Sequence, residues 1–217
     1  MSGNDSRQII LDRIKAALDV KSDDPRENRR VREWHAIARE YRTRGTLDDE
    51  DRCALFDERI RHYNAETYYT NGDVAAEIGE ILSTRGKRIL IVPTGFPSRW
   101  LPAGFMFIPD DNLSYEQLNS NDGVVTTCAF AIALTGTIVL ESSPQQGRRA
   151  TTLIPDYHLC ILRRQDIVEV VPEAFLKLEG MKDRPITFVS GPSATVDIEM
   201  TRVRGVHGPR TLDVLVV

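Results

Sequence analysis

Cysteine is scarce in this sequence. Only Cys53, Cys128 and Cys160 occur among 217 residues, and none sits in a C-x-x-C pair. An odd, scattered set argues against a disulfide-stapled secreted fold, a zinc ribbon and a self-contained iron–sulfur cluster. No run approaches the roughly 18 apolar residues of a membrane span. Met1 to Arg7 is polar and lacks the apolar core of a signal peptide, so a cytoplasmic location is the expectation. Basic excess is missing too. The 28 Lys and Arg face 32 Asp and Glu, for a formal charge of −4, which lowers nucleic acid in rank as a partner. Neither a P-loop, a G-x-G-x-x-G turn nor a G-x-S-x-G elbow is present, so the commonest nucleotide and hydrolase signatures give no support. What remains is an ordinary globular composition, 41% hydrophobic and 28% charged, in a chain long enough to bury a core without staples.

The hydrophobic period changes along the chain. Ile10, Ile14, Ala17 and Leu18 fall on one helical face, and Val31, Trp34, Ala38 and Tyr41 on a second. Phe56, Ile60 and Tyr63 make a third stripe, which Thr46 and the acids Asp48 to Asp51 start well. Val74, Ile78, Ile81 and Leu82 make a fourth, opened by Asn71 and closed near Gly86. Core packing is the plain reading of these stripes; the first two alternatively dock on a partner or a second subunit. Residues 1–45 are expected to form a helical extension, with a main domain over 46–217. From Arg88 short apolar runs predict strands at 89–92, 105–108, 124–126, 137–140, 158–162, 167–171, 186–189 and 212–217. Short helices fit at 115–118, 172–178 and 197–203. Strands alternating with helices predict an α/β fold, a mostly parallel sheet covered on both faces.

In open α/β sheets, ligands gather at the carboxyl ends of strands. Four glycine turns are candidates for that rim: Thr94-Gly95, Thr135-Gly136-Thr137, Gly191-Pro192-Ser193-Ala194-Thr195, and the turn holding His207 and Gly208. Glycine allows close backbone approach, and amides and hydroxyls at a helix start bind anions. Together they predict a pocket for a small carboxylate or phosphate-bearing ligand; the plain alternative is four tight turns. Asp197 is expected in the first turn of the helix after Gly191, where it suits the positive helix end. Glu199 either pairs with Arg202 or takes a proton from substrate. His207, between two glycines, is the best general acid–base candidate, because imidazole titrates near neutral pH. Asp156, His158 and Cys160 alternate on one strand face, about 7 Å apart, which is poor spacing for a metal. No metal is expected on this chain.

Two long runs carry a resemblance: ALTGTIVLESSPQQGRRATTLIPDYHLCIL from Ala133 to Leu162, and GPSATVDIEMTRVRGVHGPRTLDVLVV from Gly191 to Val217. With VPTGFPSRWLP from Val92 to Pro102, they resemble the LUD-domain family, most closely its lactate utilisation protein C (LutC/YkgG) branch. The resemblance implies a Rossmann-like three-layer α/β/α fold like that of NagB, RpiA and CoA transferases, with 46–217 as the LUD domain. It also implies a place in oxidising L-lactate to pyruvate beside iron–sulfur partner subunits, which would carry the redox centres. The cofactor stays open. One departure stands out: family members often read E-T-G-T where this chain has Leu134-Thr135-Gly136-Thr137. Chemistry then resides elsewhere, for example on Glu199 or His207, or the subunit binds without catalysing. A stand-alone transferase, isomerase or ligase is the competing expectation.

Overall fold

The computed structural model describes residues 3–19, 25–38, 40–181, 183–196, 202–204 and 208–217. The chain divides into two compact units, Met1–Tyr41 and Arg42–Val217. The first holds two helices, α1 (Gly3–Asp19) and α2 (Pro25–Ala36). Their apolar stripes form as the spacing predicts, but Ile10, Ile14, Val31 and Trp34 are exposed. The second stripe stops short of Tyr41, with α2 ending at Ala36.

The second unit runs α3 (Asp49–His62), β1 (Glu66–Tyr69), α4 (Val74–Thr84), β2 (Ile89–Val92), β3 (Met106–Pro109), α5 (Tyr115–Asn119), β4 (Gly123–Thr127), β5 (Phe130–Ile132), β6 (Thr137–Glu141), α6 (Arg149–Leu153), β7 (Tyr157–Leu162), β8 (Ile167–Val168), α7 (Val171–Leu178), β9 (Ile186–Val189), β10 (Ala194–Val196), β11 (Arg202–Arg204) and β12 (Thr211–Val216). Helix α3 starts on Asp48, whose carboxylate accepts the Asp51 amide at 2.9 Å, and α4 on Asp73, which accepts the Ala75 amide at 2.9 Å. Both caps fall two residues after the polar residues that the sequence suggests, Thr46 and Asn71. Acids in the first turn of α3 and Arg59, Arg61 and His62 in its last complement the helix dipole.

Six strands form one sheet in the order β1-β12-β7-β4-β2-β3, every neighbour parallel. This is the α/β architecture that the alternation predicts. Alternate residues of the central strands serve opposite faces. Tyr157, Leu159, Ile161 and Leu215 pack with Ile78, Ile81 and Leu82 of α4. Cys160, Leu162, Val214 and Val216 pack with Phe56 and Ile60 of α3. Helices α5 and α6 cover the end of this second face through Leu118, Ala150 and, just past α6, Ile154.

A second sheet, β8-β5-β6-β9, lies over the α3 face and is largely antiparallel. It packs inward through Ala131, Ile138 and Leu140 and outward through Phe130, Ile132 and Val139 onto Ala174 of α7. Short apolar runs read alike in either sheet, so the sequence does not separate the two. The helix expected at 197–203 is corrected in part. Arg202–Arg204 is a strand, paired antiparallel with Ala194–Val196, where β-branched Thr195, Val196 and Val203 suit extended backbone. Asp197 and Glu199 lie outside the described residues. Among the described residues, no helix is long and apolar enough to cross a membrane.

Candidate functional site

Strand β2 continues to β3 on one side, while β4 continues toward β7 on the other. Adjacent strands whose connections diverge leave a crevice at their carboxyl ends. The loop 142–147, between β6 and α6, sits over this switch point. Its Pro144 carbonyl accepts the Gly95 amide at 2.8 Å, and its Gln145 carbonyl accepts the Thr127 amide at 3.4 Å. The loop therefore ties the end of β2 to the end of β4. Gly95 is required by this approach, since a Cβ there would stand 2.8 Å from Pro144 Cβ.

A cleft opens on each side of the loop. The first, about 360 Å³, lies at the ends of β2 and β3, lined by Thr94, Asp110, Asn112, Ser142, Pro144 and Arg148 among others. Arg148 grips buried Asp110 through two bonds of 3.0 Å and also donates to the Leu113 carbonyl. Thr151 donates to the same carboxylate. Burial works to raise the Asp110 carboxyl, but bonds from Arg148, Thr151 and the Leu113 amide outweigh it and hold the carboxyl below the usual range. The second cleft, about 320 Å³, lies at the ends of β4 and β7, lined by Trp100, Thr127, Cys128, Glu141, Arg163 and Asp166 among others. Its Cys128 thiol is raised well above the ordinary value by its hydrogen bond to Cys160 and by burial. It is a neutral thiol, not a ready nucleophile. Among the described residues, three buried side-chain polar atoms lack a partner: Arg52 Nε, Glu141 Oε2 and Ser143 Oγ. Two of the three, Glu141 Oε2 and Ser143 Oγ, flank this rim.

The four glycine turns do not all meet: those of Gly136, Gly191 and Gly208 gather, and the Thr94-Gly95 turn stands apart from them. Thr94 and Gly95 stand at the rim just described. Gly136, with φ of 57°, makes the β5–β6 turn and packs on α3, where a Cβ would lie 2.5 Å from the Ile60 nitrogen. The Thr135 and Thr137 hydroxyls bond to each other at 2.7 Å, and Thr137 also to Ser190 at 2.7 Å. Gly191 packs on Tyr63, just ahead of β1, and Gly208 on Ser193 and Leu153. The Ser193 amide donates to the Pro209 carbonyl at 2.8 Å, beside half-buried Pro192. Thr195 falls on β10; His207 lies outside the described residues. These turns sit at the amino ends of the parallel strands. The reason is β6 and β9: running antiparallel in the second sheet, they place the turn before one and the turn after the other at the same end. His158 is not a ligand candidate; its ring is buried and bonded to Thr126 Oγ1 at 2.8 Å. Among the described residues, no three His, Cys, Asp or Glu side chains gather as a metal would need.

The family model of the LUD domain matches residues 109–217, which carries Asp110, Glu141, Arg148 and Arg163. A protein of Deinococcus radiodurans named Lactate utilization protein C is 45% identical over 166 residues, covering 75% of this chain and 77% of that protein. The chain belongs to the LUD-domain family, in its lactate utilization protein C branch. Another Lactate utilization protein C, from Shouchella clausii, is 36% identical over 105 residues, 46% of this chain and 45% of its own length. A crystal structure of a DUF162 family protein from Deinococcus radiodurans superposes with a TM-score of 0.69 at 35% identity, covering 79% of this chain and 99% of that one.

Sequence reading did not single out Asp110, Arg148 or Arg163 in this LUD domain, and it set Glu141 aside as too far from Leu134 to replace a glutamate there. Asp110, Glu141 and Arg163 follow or end strands, and a search for charged residues at strand ends rather than for glycines finds them. Arg148 carried a weaker signal, as the close of a polar loop between a strand and a helix.

Proposed function

We propose that this chain is a cytoplasmic subunit of an L-lactate utilisation system, acting in the oxidation of L-lactate to pyruvate and binding a small carboxylate at the carboxyl-end rim. The observation that carries the reading is the 45% identity over 166 residues to a protein named for lactate utilization. The crevice at the β2–β4 switch point supplies a place for the ligand. Iron–sulfur partner proteins are part of the proposal, as the family resemblance implies, and they would carry the redox centres. A second reading keeps the amino-end turns, three of which gather, as the binding site, and in it His207 and Glu199 are the proton-transfer residues.

The test is purification of the tagged chain from its native cells grown on L-lactate, with assays for iron and acid-labile sulfide. Co-purification of cysteine-rich proteins, and loss of growth on lactate after deletion, is the expected result. A lone protein with lactate growth unimpaired contradicts the proposal. His207→Ala that leaves lactate growth unchanged removes His207 from the second reading.

A further inference from the structure

Of the two clefts, the one beside Glu141 holds chemistry that the fold does not consume. Glu141 ends β6 with its side chain 13% exposed, and Arg184 Nη1 meets its Oε1 at 3.0 Å. The other oxygen, Oε2, is buried and accepts no hydrogen bond from a described residue. The backbone is pinned as well, since Gln146 Oε1 accepts the Glu141 amide at 2.7 Å. Burying a carboxylate oxygen without a donor is costly, and folded proteins seldom do it. A hydrogen-bond donor is thus the first thing this cleft asks of a ligand.

Charge gives the second. Arg163 is exposed where it lines the cleft, and a guanidinium fork matches a carboxylate. Half-buried Asp166 lines the same cleft. Arg184 pairs with Glu141, and the single charges of Arg163 and Asp166 cancel in number, so the cleft is close to neutral. A neutral cleft suits one carboxylate with a donor beside it and disfavours a polyanion such as a diphosphate. Trp100, Ile161 and Met181 add an apolar wall for a short alkyl group. The neighbouring cleft differs, because its Arg148 is already engaged by Asp110 and the Leu113 carbonyl.

We infer that this cleft binds a short carboxylate bearing a hydroxyl or an ammonium group next to its carboxyl, the donor resting on Glu141 Oε2 and the carboxylate on Arg163. The inference rests on reading the carboxyl-end rim as the ligand site and names the ligand chemistry. It is measured on the isolated chain, so it fails or holds apart from any growth phenotype.

Isothermal titration of the full chain with L-lactate, L-alanine and pyruvate tests it. Lactate and alanine carry the donor; pyruvate has the same carboxylate and only an acceptor. At least one donor ligand is expected to bind about tenfold or more tighter than pyruvate, and the tighter of the two identifies hydroxyl or ammonium. Glu141→Gln keeps the shape but turns an amide N–H2 toward the ligand, so it narrows or inverts the preference over pyruvate. Arg163→Gln, on an exposed residue, weakens every ligand that binds by about tenfold. Circular dichroism of each variant confirms folding. Pyruvate binding as tightly as both donor ligands overturns the inference. So does absence of binding at millimolar ligand, or Glu141→Gln weakening all three ligands equally while Arg163→Gln changes none.

Discussion

Replacing Asp213 by Ala removes the centre of a polar network that joins β7, β12 and α4. Asp213 is fully buried on β12. Arg85 grips it with bonds of 2.8 and 2.6 Å, and the Tyr157 hydroxyl donates to it at 2.8 Å. Those bonds raise the Arg85 pKa, and burial together with the Asp213 charge raises that of Tyr157. Both partners are thus locked in their protonated forms. Truncation leaves a guanidinium and a hydroxyl facing apolar surroundings. Breaking a buried pair in this way costs about 3–5 kcal/mol. The Arg85 side chain is 30% exposed and recovers some water, so the lower end, about 3 kcal/mol, is expected. In a domain of this size that lowers Tm by about 6–12 °C. Urea unfolding followed by circular dichroism measures the loss. The double variant Asp213→Leu with Arg85→Met removes both charges and is expected to regain most of it, leaving about 1 kcal/mol for the stranded Tyr157 hydroxyl. If Asp213→Ala costs under about 1 kcal/mol, or the double variant is no better than the single, the network is not what holds β7, β12 and α4 together.

Buried His158 has a pKa depressed to about 4 by desolvation, against about 6.5 unfolded. The unfolded chain binds more protons between those values, so stability is full above about pH 6.5 and falls by about 3 kcal/mol on the way to pH 4. His158→Gln, which keeps a partner for Thr126, is expected to remove that dependence; urea titrations at several pH values compare the two. Gly136→Ala drives a Cβ against the α3 backbone at positive φ and is expected to cost about 3 kcal/mol or to prevent soluble expression. Arg148→Ala strands the buried Asp110 carboxylate, but Thr151 and the Leu113 amide still donate to it. About 2–3 kcal/mol is expected, with faster hydrogen exchange across residues 142–147 as the specific sign.

The central strands of the parallel sheet were legible because they are buried on both faces and read as short apolar runs, whereas edge strand β1, the polar and partly exposed Glu66–Tyr69, was not expected. Helices α3 and α4 were legible from their stripes, and only their caps moved, to Asp48 and Asp73. The second sheet was not legible. The direction of β6 and β9 is set by which neighbour each strand meets, and nothing local in Thr137 to Glu141 encodes it. That gap is why all four glycine turns were expected at the carboxyl-end rim, where Thr94-Gly95 alone of them lies. Gly136 and Gly191 carry the backbone freedom expected of ligand-binding turns, yet they use it to press against Ile60 and Tyr63. Glu141 drew little notice in sequence because its unpaired oxygen exists only once β6 is laid beside the loop that follows it.

The rim at the β2–β4 switch point is best probed by titrating the isotope-labelled full chain with L-lactate and following backbone amide shifts. The account predicts shifts at Thr94 and Gly95, at Thr127 to Ala129, and through the loop from Ser142 to Gly147. Shifts confined to Gly136, Gly191 and Gly208, or none at millimolar lactate, would contradict it.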